Sequence, residues 1–277
     1  DFIILLAGVA CAAIGGELFV RGVVGIALWA RISKGIIAAT FAAFATSSPE
    51  LSVSVTSALA GTPQIALGDA LGSNVVNISL IMGITLLIAP LHTPRDVLKR
   101  DFPVALLVPI LLAILAQDGQ LSRLDGTILL SLFTVWLVVM VFEVRRQRSV
   151  APTMLGELKQ DRSVVESLVG LVFLVASGKL IVSGATGIAA YYDIDPFIVG
   201  ATLVAIGTSA PELATVVISR LRGHDEVGLG TILGSNIFNG LFVVAIAAII
   251  KPIPINWEAV SIGLAFGLIT SIFLFPL

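Results

Sequence analysis

The 277-residue chain is poor in charge, cysteine and histidine, and each shortage excludes something. Charged residues make up 12% of it, against about 25% in an average soluble domain. With 57% hydrophobic residues and a mean hydropathy of +1.06, it holds more apolar side chain than a water-soluble fold can bury, so the bilayer must act as its solvent. The single cysteine, Cys11, rules out a disulfide framework and a multi-cysteine metal centre and reads as a small packing residue. The two histidines, His92 and His224, fall in loops between predicted spans, so no imidazole metal site is expected. A net charge of −2 gives no reason to expect a nucleic-acid partner. The hydrophobic run from Phe2 has no basic leader and no small-residue cleavage site, so no signal peptide is expected.

What the chain does have is a series of apolar runs long enough to cross a membrane. These predict spans at about 2–20, 35–60, 65–90, 102–116, 124–144, 164–190, 196–220, 227–250 and 255–275, with a polar linker at 146–163. The distribution of cations tests the scheme. With the N-terminus outside, thirteen cations lie at cytoplasmic ends or loops: Arg21, Arg31, Lys34, Arg95, Lys99, Arg100, Arg145, Arg146, Arg148, Lys159, Arg162, Arg220 and Arg222. The outer loops hold two, Arg123 and Lys251, and Lys179 falls inside the sixth span. That asymmetry predicts an N-terminus outside and a cytoplasmic linker. The short linker and low charge fit a bacterial or archaeal inner membrane.

The chain also contains itself. Ala39–Gly61 matches Ala201–Gly223, an offset of 201 minus 39, or 162 residues. Leu67–Asn77 matches Leu229–Asn239, and Gly16–Gly22 matches Gly178–Gly184, at the same offset. Chance apolar similarity does not keep T-S-x-P-E-L and G-S-N-x-x-N in register without a gap. Five spans precede the second copy, an odd number, so it enters the membrane from the opposite side. The fold class expected is therefore all-α and membrane-embedded, built from two inverted-topology repeats, with ligand sites near the midplane where they meet. The first repeat is placed at 1–145 and the second at 164–277. A span matching 124–144 is missing after the ninth, so a further helix is expected in the natural protein. Pro49 and Pro211 sit mid-span and predict discontinuous helices at the Pro-Glu pairs.

Glu50 and Glu212 occupy equivalent positions beside those prolines. A carboxylate at the centre of a membrane helix costs roughly 2.5–3.5 kcal/mol on insertion scales, and two facing carboxylates repel. A divalent cation, several sodium ions or protons would relieve both penalties. Thr46, Ser47, Thr208 and Ser209 lie one turn before the glutamates on the same face. Ser73 with Asn77, and Ser235 with Asn239, each lie four apart on one helix face. A lone membrane serine or threonine commonly bonds its own helix carbonyl. Repeated in register at two sites, the set reads as an oxygen cage for a hard cation, without the sulfur or imidazole that zinc or copper prefers. Asp69, opposite Thr231 in the repeat, is either an accessory acid or a helix-start carboxylate held by the helix dipole. Glu17 and Lys179 are repeat equivalents with no role legible in the sequence. Glycines such as Gly22 and Gly184 predict close helix contact.

At these residues the chain resembles the calcium/cation antiporter superfamily, specifically the prokaryotic sodium/calcium exchangers. The motifs are Ala45-Thr46-Ser47-Ser48-Pro49-Glu50 with Gly72-Ser73-Asn74-Val75-Val76-Asn77, and Gly207-Thr208-Ser209-Ala210-Pro211-Glu212 with Gly234-Ser235-Asn236-Ile237-Phe238-Asn239. They lie within about 34–84 and 196–246. The resemblance implies about ten transmembrane helices and an alternating-access exchange of calcium for sodium, with no cofactor. It implies a calcium site at Glu50 and Glu212 with the carbonyls of Thr46 and Thr208. It implies sodium sites from Ala43, Thr46, Ser47, Ser73 and Glu50, and from Ala205, Thr208, Ser209, Ser235 and Glu212, with Asn77 and Asn239 completing the central cage. Ala45 departs from the family's usual glycine, Asp69 and Thr231 from a common asparagine, and Asn239 from an aspartate found in some members. A proton-driven antiporter for calcium or another divalent cation is the alternative. A channel would need a continuous pore. An intramembrane enzyme would need a nucleophile and base beside the acids, and none accompanies them.

Overall fold

The computed structural model describes residues 1–29, 44, 46–88, 95–146, 160–221 and 225–273. The helices are α1 (Phe2–Trp29), α2 (Ser48–Ala60), α3 (Pro63–Val76), α4 (Met82–Ile88), α5 (Arg95–Leu115) and α6 (Arg123–Arg146). They continue as α7 (Gln160–Tyr192), α8 (Pro196–Val199), α9 (Ala205–Thr208), α10 (Ala210–Leu221), α11 (Asp225–Ile237), α12 (Val244–Ile250) and α13 (Trp257–Phe273). Seven stretches of the described residues are long and apolar enough to cross a membrane, and they fall on seven of the nine predicted spans. The ninth is the 17-residue α13. The second is described from Thr46 onward, apart from Phe44, and the rest of it lies outside the described residues. The fourth span is longer than its predicted 102–116. Helix α5 begins at Arg95 and keeps Pro103 and Pro109 inside it.

Three spans are not plain α-helices. Short π segments at Asn77–Ile81, Gly200–Val204 and Phe238–Val243 interrupt them. Two of these begin at or beside Asn77 and Asn239. A π segment shifts every side chain after it around the helix axis, a device that recurs at functional sites.

Helices α1 and α7, equivalents under the repeat offset, lie side by side and run antiparallel. Gly22 of α1 abuts the backbone of Ser167, and Gly184 of α7 abuts that of Leu5. Shifting one contact by 162 residues reproduces the other, and a Cβ at either glycine would strike backbone. Two equivalent membrane helices in antiparallel, reciprocal contact are what an inverted repeat requires.

The loops assigned to one side of the membrane do meet on one face. Residues Gln120–Leu121 (β1) pair antiparallel with Ile253–Pro254 (β2). Asn256 Nδ2 donates to Asp195 Oδ2 at 2.8 Å, and Lys251 Nζ donates to the Gly61 carbonyl at 3.2 Å. Four loops separated by up to 190 residues are thus tied together. Away from this face, exposed apolar side chains such as Phe142, Val172 and Ile262 cover the helical surface, as lipid contact demands.

Candidate functional site

The two Pro-Glu segments meet at the centre. Proline has no N–H, so Pro211 cannot bond the carbonyl of Gly207 one turn earlier. The backbone departs from helical geometry at Ser209 (ψ 3°), and at the equivalent Ser47 (ψ 11°). The ladder then resumes through Leu213 N–H to Ser209 O and Leu51 N–H to Ser47 O, each 3.1 Å. The expected discontinuity is therefore a one-residue break, which starts a new helix instead of unwinding a stretch. Each new helix begins with its glutamate in the first turn, where the positive end of the helix dipole favours a carboxylate.

Glu50, Glu212 and Asp69 are fully buried, and Glu50 lies within electrostatic reach of the other two. Hydroxyls cross between the repeats to meet them. Ser47 Oγ and Ser235 Oγ donate to Glu212 Oε1 at 3.4 and 3.3 Å, and Thr46 Oγ1 lies 3.1 Å from Ser235 Oγ. On the equivalent side, Ser73 Oγ lies 3.3 Å from Thr208 Oγ1, which donates to Asp69 Oδ1 at 2.9 Å. Thr208 also reaches the Val204 and Ala205 carbonyls of its own helix at 3.2 and 3.4 Å. Ala205 further accepts from Ser73 Oγ at 3.5 Å. Thr208 thus combines the local bonding common for such residues with a contact across the interface.

The symmetry breaks at one point. On one side the hydroxyls lead to Glu212. On the other, Thr208 donates to Asp69 Oδ1 while still lying close enough to act on the Glu50 carboxyl, and neither Glu50 oxygen meets hydrogen-bond geometry with a partner. Asp69 is not at a helix start: it sits seven residues into α3 and has no solvent exposure, which overturns the reading of it as a dipole-stabilised terminal acid.

A third layer was not singled out in the sequence. Asn74 and Asn236 donate to each other's backbone carbonyls at 3.1 and 3.2 Å. Their side-chain oxygens accept from Asn239 and Asn77 respectively, at 3.3 and 2.9 Å. Both lie inside the G-S-N-x-x-N motifs, so the signal was present. The four amides leave Asn77 Oδ1 and Asn239 Oδ1 without a donor. Eight buried side-chain polar atoms lack a hydrogen-bond partner among the described residues, and seven are oxygens of Glu50, Glu212, Asp69, Asn77, Asn239 and Ser209. Unpartnered buried oxygens each cost about 1–3 kcal/mol, so their concentration here suits a hard cation as ligand. No trio of histidine, cysteine, aspartate or glutamate side chains converges as a metal site among the described residues. A cation here would draw on hydroxyl, amide and carbonyl oxygens beside the carboxylates. Ala43, Ala45, His92 and His224 lie outside the described residues; Ala205 is fully buried beside Ser73.

Residues 1–142 and 163–277 match the family described as sodium/calcium exchanger protein. The chain belongs to this family. It is accordingly a membrane-embedded cation antiporter and not an enzyme. It is 38% identical to CaxA of Alkalimonas amylolytica over 90% of this chain and 81% of that protein. It is 27% identical to the sodium/calcium exchanger MaX1 of Methanosarcina acetivorans over 92% and 84%. Among solved structures it resembles the sodium-calcium exchanger NCX_Mj, with a TM-score of 0.65 and 30% identity, covering 98% of this chain and 89% of that one.

Beside the site, a cavity of about 950 Å³ lies between α2 and α7. Ser48, next to the Pro49-Glu50 pair, lines its inner part, and Leu59 and Ala190 lie toward the linked-loop face. Glu17 pairs with Arg21 one turn away on α1, and both side chains are about 60% exposed. Its repeat equivalent Lys179 lines the cavity.

Proposed function

We propose that the chain exchanges calcium for sodium by alternating access. Glu50 and Glu212, with the backbone carbonyls of Thr46 and Thr208, ligate calcium. Sodium ions take flanking positions built from Ala43, Thr46, Ser47, Ser73 and Glu50, and from Ala205, Thr208, Ser209, Ser235 and Glu212. Asn77 and Asn239 close the centre with their unpartnered Oδ1 atoms. The observation that carries this reading is the convergence of unpartnered oxygens from both repeats, carboxylate, amide and hydroxyl together. Protons need no such multiplicity of neutral oxygen ligands, whereas calcium takes 6–8.

The proposed units are a first repeat at 1–145, a cytoplasmic linker at 146–163 and a second repeat at 164–277, with the N-terminus outside. The antiparallel α1–α7 pair, in backbone contact at glycines, is the element free to slide between two states.

The deciding experiment is calcium uptake into sodium-loaded proteoliposomes at clamped pH. Uptake that needs the outward sodium gradient and is lost in Glu50→Gln and Glu212→Gln supports the proposal. Uptake driven by a pH gradient alone, indifferent to sodium, makes the protein a proton-coupled antiporter and overturns it.

A further inference from the structure

Glu50, Glu212 and Asp69 are fully buried, and no lysine or arginine is buried among the described residues. The fourth buried acid, Asp101, is already paired with Arg100. Ionised, the three central carboxylates carry three negative charges, and one calcium ion brings two positive ones. A charge left uncompensated in a low-dielectric interior is strongly unfavourable. The calcium-loaded site therefore calls for one more positive charge.

Asp69 marks its place. Thr208 Oγ1 donates to Asp69 Oδ1 at 2.9 Å and lies 3.4 Å from the Ala205 carbonyl oxygen. Ser73 Oγ lies 3.3 Å from Thr208 Oγ1 and 3.5 Å from the same carbonyl oxygen. All four residues have no solvent exposure, and Asp69 Oδ2 has no hydrogen-bond partner. A hydroxyl that gives its hydrogen to a carboxylate keeps its lone pairs for a cation. None of these oxygens is among the calcium ligands proposed above, which use the backbone carbonyl of Thr208 and not its hydroxyl. The cluster can thus be filled with calcium in place. At the repeat offset of 162 the residue equivalent to Asp69 is Thr231, so this flank has an acid that the other lacks.

We propose that Asp69, Ser73, Thr208 and the Ala205 carbonyl form a companion site for a monovalent cation, sodium, which stays filled while calcium lies between Glu50 and Glu212. This rests on the exchanger reading above. Asp69 supplies the counter-charge, and the neutral oxygens supply the coordination. A proton on Asp69 would balance the charge as well, but would leave the two hydroxyls and the carbonyl no ion to hold. Sodium then plays two opposed parts. At the companion position it supports calcium binding, and at the centre it displaces calcium. Removing the acid removes the first part only, because in Asp69→Asn calcium alone balances Glu50 and Glu212.

The test is calcium-for-calcium exchange by the full chain in proteoliposomes. Calcium is equal on both sides, uptake of a radioactive calcium tracer is followed at clamped pH, and sodium is raised equally on both sides with choline making up the difference. Expected for wild type is a rise of about tenfold at low sodium, the scale of relieving an uncompensated buried charge, then a fall as sodium displaces calcium. Asp69→Asn should exchange fastest without sodium and only fall. A wild-type rate that only falls with sodium would overturn the companion site, and would do so even if Asp69→Asn failed to fold. A rise preserved in Asp69→Asn would overturn it as well, by placing the supporting ion elsewhere. So would a sodium-independent wild-type rate that drops as pH is raised, which puts a proton on Asp69. Wild type that moves no calcium under a sodium gradient refutes the exchanger reading itself, a result separable from any of these.

Discussion

Asn74 and Asn236, 162 residues apart, each donate a side-chain amide hydrogen to the other's backbone carbonyl, at 3.1 and 3.2 Å. The bond pair sits where α3 and α11 face one another, and maps onto itself when the repeats are exchanged. It pins the two G-S-N-x-x-N helices at a fixed separation and holds the side-chain oxygens that orient Asn77 and Asn239.

Asn74→Ala removes the side-chain donor to the Asn236 carbonyl and leaves the Asn239 amide without its acceptor. Each buried unsatisfied group costs about 1–3 kcal/mol, so a clear fall in detergent thermal stability is expected. Asn236→Ala should cost a similar amount. Because both residues serve one network, the double variant should lose less than the sum. Additive losses in a melting assay would show that the two amides act independently.

Ser47 and Ser209 are repeat equivalents with different partners. Ser47 donates to Glu212, whereas Ser209 Oγ is unpartnered. Without transported ions, Ser47→Ala should lower stability by about 1 kcal/mol and Ser209→Ala by near zero. In transport both should weaken apparent sodium affinity, since both are proposed ligands. Equal ion-free melting temperatures for the two variants would contradict the asymmetry.

Asp69→Asn keeps an oxygen acceptor for Thr208 at the same place but removes the third carboxylate. Sodium-driven calcium exchange should survive within about threefold, a cost near that of weakening one hydrogen bond. Asp69→Ala should fall further, because Thr208 loses its 2.9 Å partner. Loss of exchange in Asp69→Asn as complete as in Glu50→Gln would make Asp69 an ion ligand.

Glycine contacts between α1 and α7 set how closely these helices approach. Gly22→Leu and Gly184→Leu should each cost about 1–3 kcal/mol by overpacking and slow transport by a comparable factor, as repeat equivalents. Gly83→Ala, with nothing within 4 Å of the added methyl, is the control and should be neutral in the same flux and melting assays. Normal flux in both leucine variants would remove the tight α1–α7 contact from the transport cycle.

Orientation can be read by labelling. In a Cys11→Ala background, Gly119→Cys in the linked-loop face should react with an impermeant maleimide in intact cells. Ser149→Cys in the linker should react only after permeabilisation. The reverse pattern would invert the membrane assignment.

The sequence by itself determined the solvent, the spans, the repeat and the carboxylates at its centre. Those are properties of composition and spacing: too few charges for water, runs of bilayer length, and a 162-residue offset that brings Glu50 and Glu212 into register. It also carried Asn74 and Asn236 in plain view, but the direction in which a motif residue points depends on a helix across the interface. Only the tertiary structure decided which hydroxyls reach across, that Thr208 donates to Asp69 while neither Glu50 oxygen meets hydrogen-bond geometry with a partner, and that Lys179 and Glu17, equal in position, have different surroundings. The physical reason is that a sequence repeat states equivalence. Hydrogen bonds are directional and each hydroxyl has one hydrogen to give, so a single unmatched pair such as Asp69 and Thr231 redirects the bonds around it. That redistribution exists only once the two halves are packed together.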